Sequence, residues 1–302
     1  MTDTSIDDGQ LYIGGKFAQG SSGRRFDVTD PSTGAVVGTV ADADPADIDT
    51  AVAAARLAFD EGPWPRMSGR ERARILHKAA DLIRARAEEI VRLESLDVGK
   101  PVSLCLPVDV LTTAEVYEYY SALAQSVDGA TREIPINAHA YTRREPLGVV
   151  AAITPFNFPL ILSTSKRHEG GRIISGGERL ELGGGFYYQP TVIAGLANDS
   201  RVVQEEVFGP VLTVQPFDSE DEAVALANST RYGLAAGVQT TDLARAHRVA
   251  AGLQAGIVWV NDWAMLDPAI PFGGVKDSGF GREYGPEALQ SYTSFPGHRF
   301  AA

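Results

Sequence analysis

The stretch HAYTRREPLGVVAAITPF, His139–Phe156, decides the fold class. It opens strand-like and becomes wholly apolar from Gly148 to Ile153, the pattern of a central parallel strand covered on both faces. Pro155 and Pro159 then bring in a loop. Further along come GGFYYQPTVI (184–193) and VFGPVLTVQPF (207–217), then Ser219–Glu222 as a capping-box pattern opening AVALANST. GLAAGVQT (233–240), LARAHRVAAGL (243–253) and AGIVWVN (255–261) add strand, helix and strand. This alternation predicts an α/β domain whose sheet is at least partly parallel.

Upstream, LYIGGKF (11–17), RRFDVTDP (24–31) and AVVGTVAD (35–42) suit a small antiparallel meander, with Ser32–Gly34 as a turn. A helix follows, with Asp44 as cap, Pro45 at its first position and Asp47 in its first turn. Its Ile48, Val52, Ala55 and Phe59 recur at helical spacing and are expected to pack inward. Ser68–Glu71 forms a capping box for a second helix with an apolar stripe of Ile75, Leu76, Ala79, Leu82 and Ile83. Helical character runs on through AEEIVRLESLDV to Gly99-Lys100-Pro101 and resumes from about Val108 to Leu123.

The 302 residues carry 27 Lys+Arg against 39 Asp+Glu, a net charge of −12, which disfavours nucleic acid and anionic membranes as partners. The longest apolar stretch, GVVAAITPFNFPLIL (148–162), is too short and too broken by prolines to span a bilayer. One cysteine excludes an internal disulfide and any all-cysteine metal site. MTDTSIDDGQ lacks the basic and apolar regions of a secretory signal, so a cytoplasmic protein is expected. The five histidines show no metal spacing and no metal is expected. Nor is there a Gly-x-Ser-x-Gly elbow of the hydrolase type.

Five blocks, in order, resemble the aldehyde dehydrogenase superfamily: YIGGKF (12–17), GKP (99–101), REPLGVVAAITPFNFP (144–159), QEEVFGPVL (204–212) and PFGGVKDSGFGREYG (271–285). The resemblance runs from about Leu11 to Thr293. It implies oxidation of a small aldehyde with NAD or NADP: a cysteine thiolate attacks the carbonyl, hydride leaves to nicotinamide, and a glutamate activates water to release the acid. Asn157 matches the asparagine that holds the oxyanion. Thr154 and Phe156 match positions lining the cofactor cleft, Glu206 the carboxylate that clamps the nicotinamide ribose, and Phe208 the aromatic beside the nicotinamide.

The pattern breaks after Lys166. The family continues through the rest of its cofactor-binding sheet, the glutamate of its Glu-Leu-Gly-Gly and the nucleophilic cysteine. Here the chain passes straight to RHEGGRIISGGER (167–179), which resembles a stretch well beyond the nucleophile. The expected architecture is therefore a truncated α/β aldehyde dehydrogenase fold, deleted internally near Ser165–His168. Residues 1–166 are the N-terminal part of the cofactor-binding domain, with an oligomerisation strand near 138–147. Residues 167–290 are the C-terminal part of the catalytic domain, and 291–302 an oligomerisation tail. Cys105, in the N-terminal helical region, reads as a structural thiol rather than the nucleophile. Glu181, in LELGGGFYYQP, belongs to a turn before a strand rather than to the general base. GFGREYG (279–285) has the wrong intervals for a dinucleotide fingerprint and shapes a loop. Two functional readings follow: an oxidoreductase by descent that is inactive alone, with cofactor binding impaired, or a non-catalytic remnant that forms homo-oligomers or docks onto full-length relatives.

Overall fold

In the computed structural model, which describes residues 6, 8–136, 138–154 and 171–301, the first elements are two hairpins. Strands β1 (Leu11–Ile13) and β2 (Lys16–Ala18) pair antiparallel. Gly14 and Gly15 turn the chain at φ 59° and 81°, a left-handed pair that glycine adopts without a Cβ clash. Strands β3 (Arg25–Thr29) and β4 (Val36–Ala41) also pair antiparallel. The buried Asp30 organises their connection, accepting from the Ser32 amide, the Ser32 hydroxyl and the Thr33 hydroxyl at 2.8 Å each. The expected meander is thus two separate two-stranded sheets.

Helix α1 (Pro45–Asp60) carries the full Asp44/Asp47 capping box. Its expected inward face is a correction: Ile48, Val52 and Ala55 are exposed and Phe59 only half-buried. Periodicity identifies a face that seeks cover, and here the described residues leave most of it open. Helix α2 (Gly69–Ala85) starts at the Ser68/Glu71 capping box. It buries Ala73 and Ala80, with Leu76, Ala79 and Ile83 half-buried, while Ile75 and Leu82 face out. The chain breaks at Arg86 before α3 (Ala87–Val98), which ends on Gly99 in the left-handed region at φ 71°. A helical turn, α4 (Val102–Leu104), leads into a π-helical stretch, Cys105–Leu111, and then α5 (Thr112–Leu123). Helical structure therefore begins before the expected Val108.

Val91, Cys105 and Val110 form a small buried cluster flanked by Ile83, Ala87 and Ile90. Helix α5 lies along α2, where the Ser121 hydroxyl donates to the Ala73 carbonyl at 2.9 Å and Arg84 grips Glu118 through two bonds of 2.6 and 2.7 Å. Strands β5 (Ala130–Arg132), β6 (Ala138–Thr142) and β7 (Glu145–Pro146) follow. Beyond them Gly148–Thr154 forms no strand, and Ile153 is 95% exposed. The expected central parallel strand is corrected accordingly. A strand of that composition persists only between two neighbours and under two covering layers, and among the described residues none pairs with it.

The α/β alternation appears in the second of two compact units, which comprises 160–182 and 186–291. Its described elements are β8 (Arg172–Ser175), β9 (Arg179–Leu180), β10 (Tyr187–Tyr188), β11 (Thr191–Ala194), α6 (Arg201–Gln204), β12 (Val211–Val214), α7 (Glu220–Asn228), β13 (Ala235–Val238), α8 (Leu243–Gly252) and β14 (Ile257–Val260). Strand β11 runs parallel to β12 and antiparallel to β8, while β9 and β10 form a hairpin. Strand β13 runs parallel to β14 across α8. The tail returns to the first unit, where β15 (Thr293–Ser294) pairs with β7 and β16 (Gly297–Ala301) pairs with β6.

Candidate functional site

The loop from Glu205 to Pro210 is fixed at both ends. At its start Arg201 pairs with Glu205 at 3.1 Å, one helical turn apart. At its end the Thr191 amide donates to the Pro210 carbonyl at 2.7 Å, where β11 and β12 begin to pair. Between them Phe208 sits in the left-handed region at φ 52°, a conformation a bulky residue adopts only when its surroundings hold it there. The result is a half-buried Phe208 ring and an exposed Glu206 carboxylate on one short loop.

Both residues line an open groove of ≈ 650 Å³ together with Val202 and Leu212. Glu206 also borders a second recess of ≈ 320 Å³, whose wall includes Asn228, Thr230, Tyr232 and Ser278. A carboxylate reached from two recesses can accept hydrogen bonds from hydroxyls on either side. Among the sequence-predicted residues, Glu206 and Phe208 are therefore brought together. Thr154 is exposed and belongs to the first unit. Asn157 and Phe156 lie outside the described residues.

Cys105 is fully buried at the start of the π-helical stretch, its Sγ donating to the Lys100 carbonyl at 3.5 Å. Burial pushes its thiol up from the ordinary value, and the nearby Asp109 and Glu94 carboxylates add to the shift. Glu181 lies on the turn between β9 and β10, its side chain 82% exposed and paired with Arg179 at 3.4 Å. Around GFGREYG, Phe272 bridges to Glu283 while Gly279, Tyr284 and Gly285 take positive φ, so the segment is a loop.

The sequence PFGGVKDSGFGREYG alone gives Lys276, Asp277 and Ser278 no role. The structure does. Lys276 Nζ donates to the Asn228 and Thr230 carbonyls at 2.9 and 3.1 Å. Asp277 pairs with Arg231 at 2.6 Å, and the Ser278 hydroxyl accepts from the Gly233 amide at 3.0 Å. The clue available in the sequence was a lysine and a serine two apart within a glycine-rich loop. Among the described residues no group of three or more side chains could hold a metal ion, and no helix is long and apolar enough to cross a membrane.

A profile of the Aldehyde dehydrogenase family matches residues 17–168 and 164–296, and the chain belongs to that family. The fold is the family's α/β fold. The chain resembles the NAD+ complex of aldehyde dehydrogenase from Bacillus cereus at 27% identity and a TM-score of 0.91, over 97% of this chain and 96% of that one. The NAD-dependent aldehyde dehydrogenase from Sinorhizobium meliloti matches at 25% identity and a TM-score of 0.87, over 97% and 95%. The P. syringae AldA indole-3-acetaldehyde dehydrogenase, solved with NAD+ and IAA, matches at 25% identity and 0.91, over 97% of both chains.

Proposed function

We propose that this chain descends from an NAD- or NADP-dependent aldehyde dehydrogenase and does not oxidise aldehydes by itself. One observation carries the reading: the single cysteine of the chain is Cys105, buried, with its thiol pushed up and its Sγ committed to a backbone carbonyl. Covalent aldehyde oxidation needs an accessible thiolate, and a protonated thiol inside an apolar cluster is inert. The two family matches overlap at 164–168, which supports an internal deletion joined there, and 302 residues is short beside full-length members. On this reading residues 1–166 retain part of the cofactor-binding domain, 167–290 part of the catalytic domain, and 291–302 the oligomerisation tail, in a cytoplasmic protein.

The described residues fit one end of a dinucleotide only. Glu206 and Phe208 stand on a formed groove suited to a ribose and a flat ring. A pyrophosphate is normally held beyond the carboxyl ends of parallel strands, at a helix N-terminus. Both described parallel pairs, β11 with β12 and β13 with β14, lie in the second unit, and Gly148–Ile153, where the first unit should supply one, is not a strand. Thr154 and, outside the described residues, Phe156 and Asn157 retain only their family positions.

The test is NADH formation from an aliphatic aldehyde, with the purified chain and with Cys105→Ser. Neither should give a rate above buffer. Turnover that survives the substitution, or that disappears with it, refutes the reading. A second reading, docking onto full-length relatives, is supported by the retained pairing of β16 with β6 and of β15 with β7. Co-expression with a full-length family member should then give a mixed complex on size-exclusion chromatography, and separate elution removes it.

A further inference from the structure

We propose that the apolar face shared by helix α1 and the segment Gly148–Ile153 is a pairing surface for a second copy of this chain, the two copies joining about a two-fold axis through antiparallel contact of their 149–153 segments. The face is continuous. Ile48 and Val52 stand in one row of α1 that ends at Phe59, and a Cβ added at Gly148 would stand 3.8 Å from the Phe59 ring and 3.2 Å from the Arg56 guanidinium, so the segment sets out where that row stops. Ile48, Val52, Leu147 and Val150 are half exposed and Ile153 almost wholly so. The backbone is as open as the side chains. The Leu147 amide donates to the Tyr292 carbonyl at 3.0 Å, but no residue of Gly148–Thr154 exchanges a backbone–backbone hydrogen bond with any described residue. Amides and carbonyls in that state are a template for another strand.

Three features select a second copy as the occupant. The first is charge. The chain carries a net charge of −12, yet Gly148–Ile153 holds no charged residue, and the neighbouring Arg56 is already paired with Asp60 on its own helix. A charged ligand finds no counter-charge here, and two copies meet without like charges at the point of contact. The second is self-complementarity. Antiparallel pairing centred on Ala151 sets Val149 opposite Ile153 and Val150 opposite Ala152, so each cross-strand pair is apolar and the interface repeats itself under the two-fold rotation. The third is area. The open apolar side chains of this face present on the order of 400 Å² per copy, the size of the largest patch on an ordinary monomer. Joined with the bare backbone between them, two such faces remove roughly 1,000 Å² from water, the lower bound of a specific interface, which puts the pair in the weak, reversible class. The contact uses neither β6 and β16 nor β7 and β15, so it is separate from docking onto full-length relatives and stands whether or not that reading holds.

The test is sedimentation of the purified full chain over roughly 1–100 µM, the range in which a weak interface of this size dissociates. The parent should pass from one copy to two. Ile153→Lys should raise the dissociation constant at least roughly 30-fold, because a symmetric interface would bury two unpaired ammonium groups. In the free chain Ile153 is open, so the substitution acts on association and leaves the unfolding of the single copy unchanged. The register is read by Ala151→Cys in a Cys105→Ser background. Opposed residues of an antiparallel pair have Cα atoms about 4.5–5.5 Å apart, within disulfide range, so oxidised glutathione should link Ala151→Cys into a dimer at least roughly tenfold faster than Ser22→Cys, an exposed control away from the face. A parent that stays a single copy throughout overturns the proposal, as does assembly that continues past two copies. Equal dissociation constants for the parent and Ile153→Lys, or equal cross-linking of the two cysteine variants, overturn it as well. The sedimentation comparison needs neither cysteine substitution and decides the matter where the Cys105→Ser background cannot be recovered folded.

Discussion

Replacing Lys100 by methionine tests the packing of the N-terminal helical region at its most sensitive point. Lys100 follows the Gly99 that ends α3, and its ammonium is held between two carboxylates, Glu94 at 3.3 Å and Asp109 on the π-helical stretch. The side chains retain 10%, 29% and 19% exposure respectively, so the triad is largely withdrawn from water. Among the described residues Asp109 Oδ2 is buried with no hydrogen-bond partner, and Lys100 is the cation that compensates this carboxylate. Methionine keeps length and apolar volume but removes the charge, taking the triad from one net negative charge to two. Breaking a buried pair from one side costs about 3–5 kcal/mol, and the residual exposure of the two acids puts this case near 3 kcal/mol, about two orders of magnitude in the folding constant. Urea unfolding followed by circular dichroism reads that loss as a lower midpoint at unchanged slope. The double variant Lys100→Met, Asp109→Leu removes both partners and should regain most of the stability, because an apolar replacement leaves less uncompensated charge. A single variant within about 0.5 kcal/mol of the parent, or a double variant no better than the single, would refute the reasoning.

Three further outcomes can be checked. Burial raises the Asp30 carboxyl, but the hydrogen bonds from Ser32 and Thr33 outweigh it and hold the group below the usual carboxylate range. A lowered folded-state value contributes stability that is complete above the unfolded value near about pH 4 and lost as pH falls through the folded value. The stability gap between the parent and Asp30→Asn should therefore be flat at neutral pH and close in acid; a gap undiminished at about pH 2 contradicts this. Gly99→Ala, forced into the left-handed region at φ 71°, should cost about 1–2 kcal/mol in chemical unfolding, and a neutral result would mean that the α3 terminus reforms elsewhere. Ile153→Lys should leave the unfolding free energy within about 0.5 kcal/mol of the parent, since Ile153 is 95% exposed, while lowering association on size-exclusion chromatography and dye binding to apolar surface. A large destabilisation would show that Ile153 is covered.

Features set by neighbours in sequence were legible from it. The Asp44 cap, the Ser68/Glu71 box and the Gly99 stop form as read, because each bond closes within a few residues. The π-helical stretch was not legible. Helical character was expected only from about Val108, yet Pro107 lies inside the stretch, where Thr112 and Thr113 hydroxyls donate to the Pro107 and Asp109 carbonyls at 3.3 and 2.6 Å. At the candidate site, the nearness of Glu206 and Phe208 follows from QEEVFGPVL, which holds both on one loop. The work of Lys276 was not legible, because its acceptors Asn228 and Thr230 lie 48 and 46 residues earlier in the chain.

The misread segment, Gly148–Ile153, is the most informative of these. Its six residues hold no charge and no polar side chain, a composition that describes a strand covered on both faces, while Val150 and Ile153 stand exposed. An apolar pattern records which residues need cover and carries nothing about the element that covers them, so the inference from pattern to strand fails wherever that element is not among the described residues. The same logic applies to α1, where Ile48 and Val52 keep helical spacing on an open face. Both mismatches point to residues suited to a larger sheet and its covering helices than the described residues form. Charged substitutions at Val150 or Ile153 therefore separate two situations. In a sheet covered on both faces each would bury an unpaired charge at a cost of several kcal/mol; in this chain each should be close to neutral.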